Sequence, residues 1–317
     1  MTKTPIIIDC DPGQDDAVML MMAFAKRDQL DILGICTVAG NVSIDKTTRN
    51  ARIICEICGQ TDIPVYAGYA APLKRRLFTA DEVHGEEGMN GVKVYEPEMP
   101  VQEKHAVNFI VDILREKEDG EVTLIVTGPM TNIAAAFSQA PGIKKKVKEI
   151  ILMGGALRMG GNVTPSAEFN IFVDPEAAHI VYKSGVKTVT IGLDVTHQVL
   201  ASNARLARIK AIGNKVADTA CEILGPYSFF DSEKYGTDGG PLHDPCTIAY
   251  LLDPSLFKTK FCNIEVECNS ELTVGHTAVD FWEGMDPKER PKNTHWAYEV
   301  DDKGVYRLLE ECLATFS

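Results

Sequence analysis

Residues 6–16 read Ile6-Ile7-Ile8-Asp9-Cys10-Asp11-Pro12-Gly13-Gln14-Asp15-Asp16. Three β-branched residues lead into Pro12-Gly13, and apolar residues at helical spacing follow at Ala17, Leu20, Met21 and Phe24. The pattern predicts a strand, a tight turn and a helix. Asp15 or Asp16 can cap that helix by accepting its unpaired N–H groups. Asp9, Asp11, Asp15 and Asp16 therefore crowd one strand-to-helix corner. If the strand continued through the corner, Asp9 and Asp11 would share a face, because strand side chains repeat every two residues. Two like charges ~4 Å apart repel by about 1 kcal/mol in water, and by more where water is scarce. A hard divalent cation would relieve that repulsion: calcium takes about six to eight oxygen ligands and magnesium about six. One helix cap with three solvated loop acids is the plainer alternative. A dinucleotide-binding turn would instead be glycine-rich and would seat a pyrophosphate on the helix N-terminus. This corner repels phosphate, so its ligand is neutral or held through the cation.

The chain has 317 residues, 45% hydrophobic and 24% charged, which suits a soluble globular protein with a sizeable core. No linker, charge block, low-complexity run or internal repeat divides it, so one α/β domain over 1–317 is expected. There is no signal-peptide pattern and no apolar run near the ~20 residues of a membrane span. The net charge of −13 argues against a nucleic-acid partner, whose phosphates need Lys and Arg. Nine cysteines do not make a disulfide framework; Cys10, Cys36, Cys221 and Cys246 sit in apolar contexts. They read as reduced core thiols of a cytoplasmic protein. Cys55 and Cys58 form a C-x-x-C inside a helical pattern with no second pair, and read as buried thiols rather than a redox or zinc site.

Along the chain, Leu30 to Val38 is a β-rich run ending in Ala39-Gly40-Asn41, and Ser43 to Cys58 reads as a helix. After a short strand at Val65-Tyr66, residues 68–100 lose periodicity, and a loop of that length is usually functional or mobile. Its middle, His84-Gly85-Glu86-Glu87-Gly88-Met89-Asn90-Gly91, reads as a flap that closes over a site. A helix (Glu103 to Lys117) and a strand (Val122 to Val126) precede a second strand–turn–helix corner, Thr127-Gly128-Pro129-Met130-Thr131-Asn132, this one uncharged. A buried strand ends at Met153-Gly154-Gly155. An irregular stretch carries Asn162, Glu168, Phe169 and Asn170, Asp174-Pro175-Glu176 starts a helix, and Val186 to Leu193 is the next strand. Strands alternating with helices predict a mostly parallel, Rossmann-like sheet covered on both faces. Ligands of such sheets bind beyond the carboxyl ends of the strands, where Asp11, Asn41, Thr127 and the loop after Met153 all fall. Residues 200–235 are largely helical, and His243-Asp244-Pro245 opens another helix. Two alternating runs between Phe261 and Trp282 predict a small antiparallel addition, and a strand near Trp296 and a terminal helix follow.

These motifs together resemble the calcium-dependent nucleoside hydrolases, the inosine–uridine-preferring family. The acidic corner, Ala39-Gly40-Asn41, His84-Gly85-Glu86, the Thr127–Asn132 turn, Met153-Gly154-Gly155, Glu168-Phe169-Asn170 with Asp174-Pro175-Glu176, and His243-Asp244-Pro245 all match in order and spacing. The resemblance implies a calcium ion held by Asp11, Asp16, Asp244 and the Thr127 carbonyl, together with a water and two ribose hydroxyls. It implies that Asp15, Asn41 and Asn170 grip those hydroxyls, that Asn162 and Glu168 hold the 5′-hydroxyl, and that Met153 lines the sugar pocket beside Phe169. Asp9 takes a supporting place. Asp11 would deprotonate the water that attacks C1′, and His84 and His243 would serve the departing base. Tyr235 matches an aromatic position of the pyrimidine-preferring members, which points to uridine and cytidine. Gln14, where the family usually has His or Leu, and Asp231 depart from its pattern. The family forms homodimers and homotetramers, so a homo-oligomer is expected.

Three other readings compete: a broad inosine/uridine hydrolase, a magnesium-dependent phosphohydrolase with Asp9 or Asp11 as nucleophile, and a non-catalytic nucleoside-binding protein. The phosphohydrolase would want a Lys and a Ser/Thr phosphate cradle at neighbouring strand ends, and no convincing Lys stands there.

Overall fold

The computed structural model describes residues 3–284, 286 and 288–317, with the side chains of Glu82 and of residues 227–235 left outside the description. The strands are β1 (Thr4–Cys10), β2 (Leu30–Thr37), β3 (Val65–Ala67), β4 (Val122–Val126), β5 (Val147–Met153), β6 (Thr188–Ile191), β7 (Phe257–Cys262), β8 (Ile264–Val266), β9 (Thr277–Val279) and β10 (Thr294–Val300). The helices are α1 (Gln14–Ala25), α2 (Ile44–Ile57), α3 (Asp81–His84), α4 (Ala106–Glu116), α5 (Thr131–Gln139), α6 (Phe169–Val173), α7 (Pro175–Tyr182), α8 (Leu193–Thr196), α9 (Asn203–Lys210), α10 (Lys215–Tyr235), α11 (Pro245–Leu252) and α12 (Asp302–Leu313).

Eight strands form one sheet in the order β3-β2-β1-β4-β5-β6-β10-β7. Every neighbouring pair is parallel except β10 with β7, which closes one edge antiparallel. Strand β1 shows why the central strands read as continuous apolar runs. Ile6, Ile8 and Cys10 face one core, shared with α1 and α12, while Ile7 faces the other, with Phe109 and Ile110 of α4 and Phe137 of α5. Both faces of a parallel sheet are buried, so polar–apolar alternation disappears. Strands β8 and β9 pair antiparallel as the small separate sheet expected near the C-terminus.

Two expected boundaries shift. The strand expected over Val186–Leu193 is Thr188–Ile191, because Gly192 N-caps the single turn α8 that starts at Leu193. The antiparallel addition begins at Ile264, because Phe261 and Cys262 end the strand Phe257–Cys262, which joins the large sheet at its edge. No helix among the described residues is long and apolar enough to cross a membrane.

Candidate active site

The acidic corner lies at the carboxyl ends of β1, β2 and β4. Strand β1 stops at Cys10, so Asp9 and Asp11 do not share a strand face. Asp9 turns to α5, where its Oδ1 accepts from Asn132 Nδ2 at 2.8 Å. Asp11 turns to the end of β2, where its Oδ2 accepts the Asn41 backbone N–H at 2.7 Å. Glycine makes room for it on two sides: a Cβ at Gly40 would lie 2.1 Å from Asp11 Oδ2, and one at Gly128 would lie 2.7 Å from Oδ1. The Asp11 carboxylate fits here because both adjoining turns have glycine at the point of contact.

Helix α1 is capped from its third residue. Asp16 Oδ2 accepts the Gly13 N–H at 3.0 Å, and its Oδ1 accepts the Thr127 hydroxyl at 2.7 Å. Asn41 Nδ2 bridges the Asp11 carbonyl at 3.0 Å and Asp16 Oδ2 at 3.3 Å. Asp244 arrives from the far end of the chain. It holds the N-cap position of α11, yet its side chain caps nothing there and turns to the corner instead. Asp15, Asp16 and Asp244 bring carboxylate oxygens within 4.8 Å of one another, all three buried. Asp11 stands beside this triple and acts electrostatically on Asp16 and Asp244. Asp15, expected to bind sugar hydroxyls, thus joins the carboxylates in the cluster.

The electrostatics are those of carboxylates buried against one another. Burial, then the neighbouring Asp15, raises the Asp16 carboxyl to about 7. Burial and neighbouring carboxylates hold Asp11 and Asp244 well above the usual range. Among the described residues, no Lys or Arg is one of the largest influences on these three. Asp11 Oδ1 is buried with no hydrogen-bond partner among the described residues. Four buried carboxylates, with oxygen donors around them and neither His nor Cys in the cluster, fit a hard divalent cation and do not fit a soft one.

A polar rim surrounds the cluster. Asn170 Nδ2 donates to the carbonyls of Thr127 at 2.8 Å and Met153 at 3.2 Å, so α6 is tied to the ends of β4 and β5. Glu168 N-caps α6 and accepts N–H groups from Gly155, Asn170 and Ile171. Burial raises it to about 7 against those three bonds. Asn162 Oδ1 accepts the Phe169 N–H at 2.9 Å, and the Phe169 ring lies 6.4 Å from that of Phe78.

Both histidines expected at the site are buried. His84 Nδ1 accepts the Gln14 N–H at 3.4 Å, and burial lowers its pKa against the pull of Asp15. His243 Nδ1 lies 2.7 Å from the Thr196 hydroxyl, and burial, then His197 and His84, hold it well below its ordinary value. Burial thus disfavours the imidazolium form of both rings. Helix α10 ends at Tyr235, whose side chain, like that of Asp231, lies outside the described residues. Sequence reasoning missed Asn132, Thr196 and the paired glycines Gly40 and Gly128. The glycines alone had a signal, each standing where a strand gives way beside the acidic corner.

Comparison with known proteins agrees with this geometry. Residues 6–307 match the family model "Inosine-uridine preferring nucleoside hydrolase". A pyrimidine-specific ribonucleoside hydrolase of Enterobacter is 45% identical over 314 residues, covering 99% of this chain and 98% of its own length. Among solved structures, a plant nucleoside hydrolase superposes with a TM-score of 0.91 at 32% identity, over 99% of both chains. A purine-preferring ribonucleoside hydrolase from Gardnerella vaginalis superposes at 0.90 with 31% identity, over 98% of both. The chain belongs to the inosine-uridine preferring nucleoside hydrolase family and is an N-ribosyl hydrolase.

Proposed function

We propose that this enzyme hydrolyses uridine and cytidine to free base and ribose with the help of a bound calcium ion. The observation that carries the reading is the meeting of Asp244 with the Asp15–Asp16 corner, beside Asp11 and within a rim of neutral amides and carbonyls. Asp11, Asp16, Asp244 and the Thr127 carbonyl would hold the ion. Calcium bound there supplies positive charge that fixes two sugar hydroxyls and makes a water easier to deprotonate. Asp11 is oriented for the proton: Asn41 holds one of its oxygens and the other is left for the attacking water. As the glycosidic bond breaks, positive charge grows on the sugar, and the buried carboxylates stabilise it. Asp15, Asn41 and Asn170 grip the ribose diol, and Asn162 and Glu168 hold the 5′-hydroxyl. An unpaired buried polar group is costly, so this set favours ribose over deoxyribose. The Gln14 N–H on His84 Nδ1 leaves the ring proton of the neutral tautomer on Nε2, a donor for the leaving base. His243 and Tyr235 complete the base pocket.

Pyrimidine preference is supported by the relatives named for it. All nine cysteines are free thiols, which fits work in a reducing cytoplasm. We take the chain to be one domain that acts as a homodimer or homotetramer. The test is incubation with uridine, cytidine, inosine and a phosphate monoester, with and without inorganic phosphate. Free base and ribose from the pyrimidine nucleosides, independent of phosphate, is the expected result. Ribose 1-phosphate would mean a phosphorylase, and inosine cleaved as fast as uridine would remove the pyrimidine preference.

A further inference from the structure

Gln14 is the one fully buried polar residue of the acidic turn that carries no carboxylate. Its Nε2 donates to two carbonyls, that of Asn90 at 3.1 Å and that of Ile223 at 3.0 Å. Both partners are acceptors, so only the amide nitrogen can face them and the orientation of the side chain is fixed. Its backbone N–H meets His84 Nδ1. Gln14 thus ties the first turn of α1 to both ends of the flap, residues 84 and 90, and to α10. Among the described residues, Gln14 Oε1 is buried without a partner, a penalty that an apolar side chain of similar size would not carry.

Helix α10 is built to receive this contact. Pro226 lies inside it; proline has no N–H and crowds the carbonyl four residues back, that of Glu222. The flap comes against α10 at that point: Gly91 has φ +98°, and a Cβ there would lie 1.8 Å from Glu222 O. The other polar anchors of the flap lead elsewhere. Asn50 Nδ2 joins Glu87 O to Pro12 O, and Arg49 and Lys46 pair with the Glu87 carboxylate. Among these bonds, the polar link from flap to α10 runs through Gln14, next to the close contact at Gly91.

We propose that Gln14 is a positioning residue that couples the flap to the proline-interrupted part of α10, so that the two close over the nucleoside as one unit with His84 carried between them. The joint itself is read from the hydrogen bonds; its effect on turnover rests on the function proposed above. A site that must be assembled before binding has its apparent affinity reduced by the fraction of molecules already assembled. Loss of the joint therefore weakens KM and spares the chemical step.

The experiment is amide hydrogen exchange on the ligand-free protein together with steady-state kinetics on uridine. In Gln14→Leu, exchange over residues 84–91 and over 223–225 is expected to accelerate together. KM should rise roughly tenfold, with kcat within about threefold, as for the loss of two neutral hydrogen bonds. Gln14→His keeps one donor and should fall between. Gly91→Ala lies away from the carboxylates and wedges the flap from Glu222, so it should reproduce both effects; it decides alone if Gln14→Leu loses its cooperative melt. Faster exchange in the flap with α10 unchanged would overturn the coupling, as would a fall in kcat at constant KM. Exchange needs no substrate, so a wild-type protein that cleaves no nucleoside would refute the proposed function and leave the joint still tested.

Discussion

Strands β1 and β4 are hydrogen-bonded neighbours, with Asp9 opposite Val126, and each ends in a turn that opens a helix. The first turn, Asp11 to Asp16, carries three carboxylates; the second, Thr127 to Asn132, carries none. Yet the second is as deeply buried and points into the same place. Its Thr127 hydroxyl goes to Asp16, its Gly128 leaves room for Asp11, and its Asn132 amide holds Asp9. Its Thr131 hydroxyl reaches Asp174, the cap of α7. The difference teaches how a fold keeps buried negative charge available. Neutral donors orient the carboxylates without cancelling them, whereas a lysine in the second turn would have neutralised the cluster and filled the space for an ion. One corner supplies charge and the other supplies geometry, and each can be attacked separately.

The hardest blow to the charged corner is Asp11→Asn, which keeps the shape and the Asn41 bond but removes the base. Kinetics on uridine should show kcat lowered roughly 10²–10⁴-fold, the usual contribution of a positioned proton acceptor, with nucleoside binding still measurable by calorimetry. Activity within tenfold of wild type would mean that the corner only caps its helix.

Removing the ion should come next in size. Asp9 and Asp16 are raised from 3.8 to about 7 by burial. A metal-free folded chain therefore holds protons that the unfolded chain has released between about pH 4 and 7, and its stability falls as pH rises through that window. Thermal melts in chelator should drop from about pH 4 to about pH 7. Added calcium should raise the midpoint at pH 8 by about 5 °C or more, and by less at pH 5, where the carboxylates are protonated. A midpoint indifferent to chelator at every pH would leave the four buried acids without their counter-ion.

How much of this could be read from the residues divides along the same line. Charge is visible in a sequence, so the first corner and its fitness for a cation were legible from the residues, whereas the arrival of Asp244 was implied by the family resemblance. Alternation of strands and helices was enough to place Asn41, Thr127 and the loop after Met153 at one sheet edge. Neutral support was not legible. Asn132 and Thr196 are ordinary polar residues until packing sets them 2.8 Å from Asp9 and 2.7 Å from His243. Asp9 and Asp11 diverge because β1 stops at Cys10, and strand ends are set by what the neighbouring strands offer in hydrogen bonds rather than by local propensity. The small antiparallel sheet falls within the Phe261–Trp282 stretch expected for it, whereas the edge strand Phe257–Cys262, with Lys258 and Phe261 exposed, had no signal that set it apart from that addition.

The finest test separates the two corners by a single hydroxyl. Thr127→Val keeps the backbone carbonyl and the volume but leaves Asp16 Oδ1 without its donor. A hydrogen bond to a charged group is worth about 1.5–3 kcal/mol, so the calcium needed for half-maximal activity should rise roughly tenfold, with kcat restored at saturation. Thr131→Val removes a bond of the same length, 2.7 Å, from Asp174, which lies away from the cluster. It should lower the melting midpoint by a few degrees and leave the calcium titration where it was. If the two variants shift that titration equally, the neutral corner acts as scaffold alone. If only Thr127→Val moves it, the hydroxyl is part of what tunes the carboxylates, and the division of labour between the corners holds down to one oxygen atom.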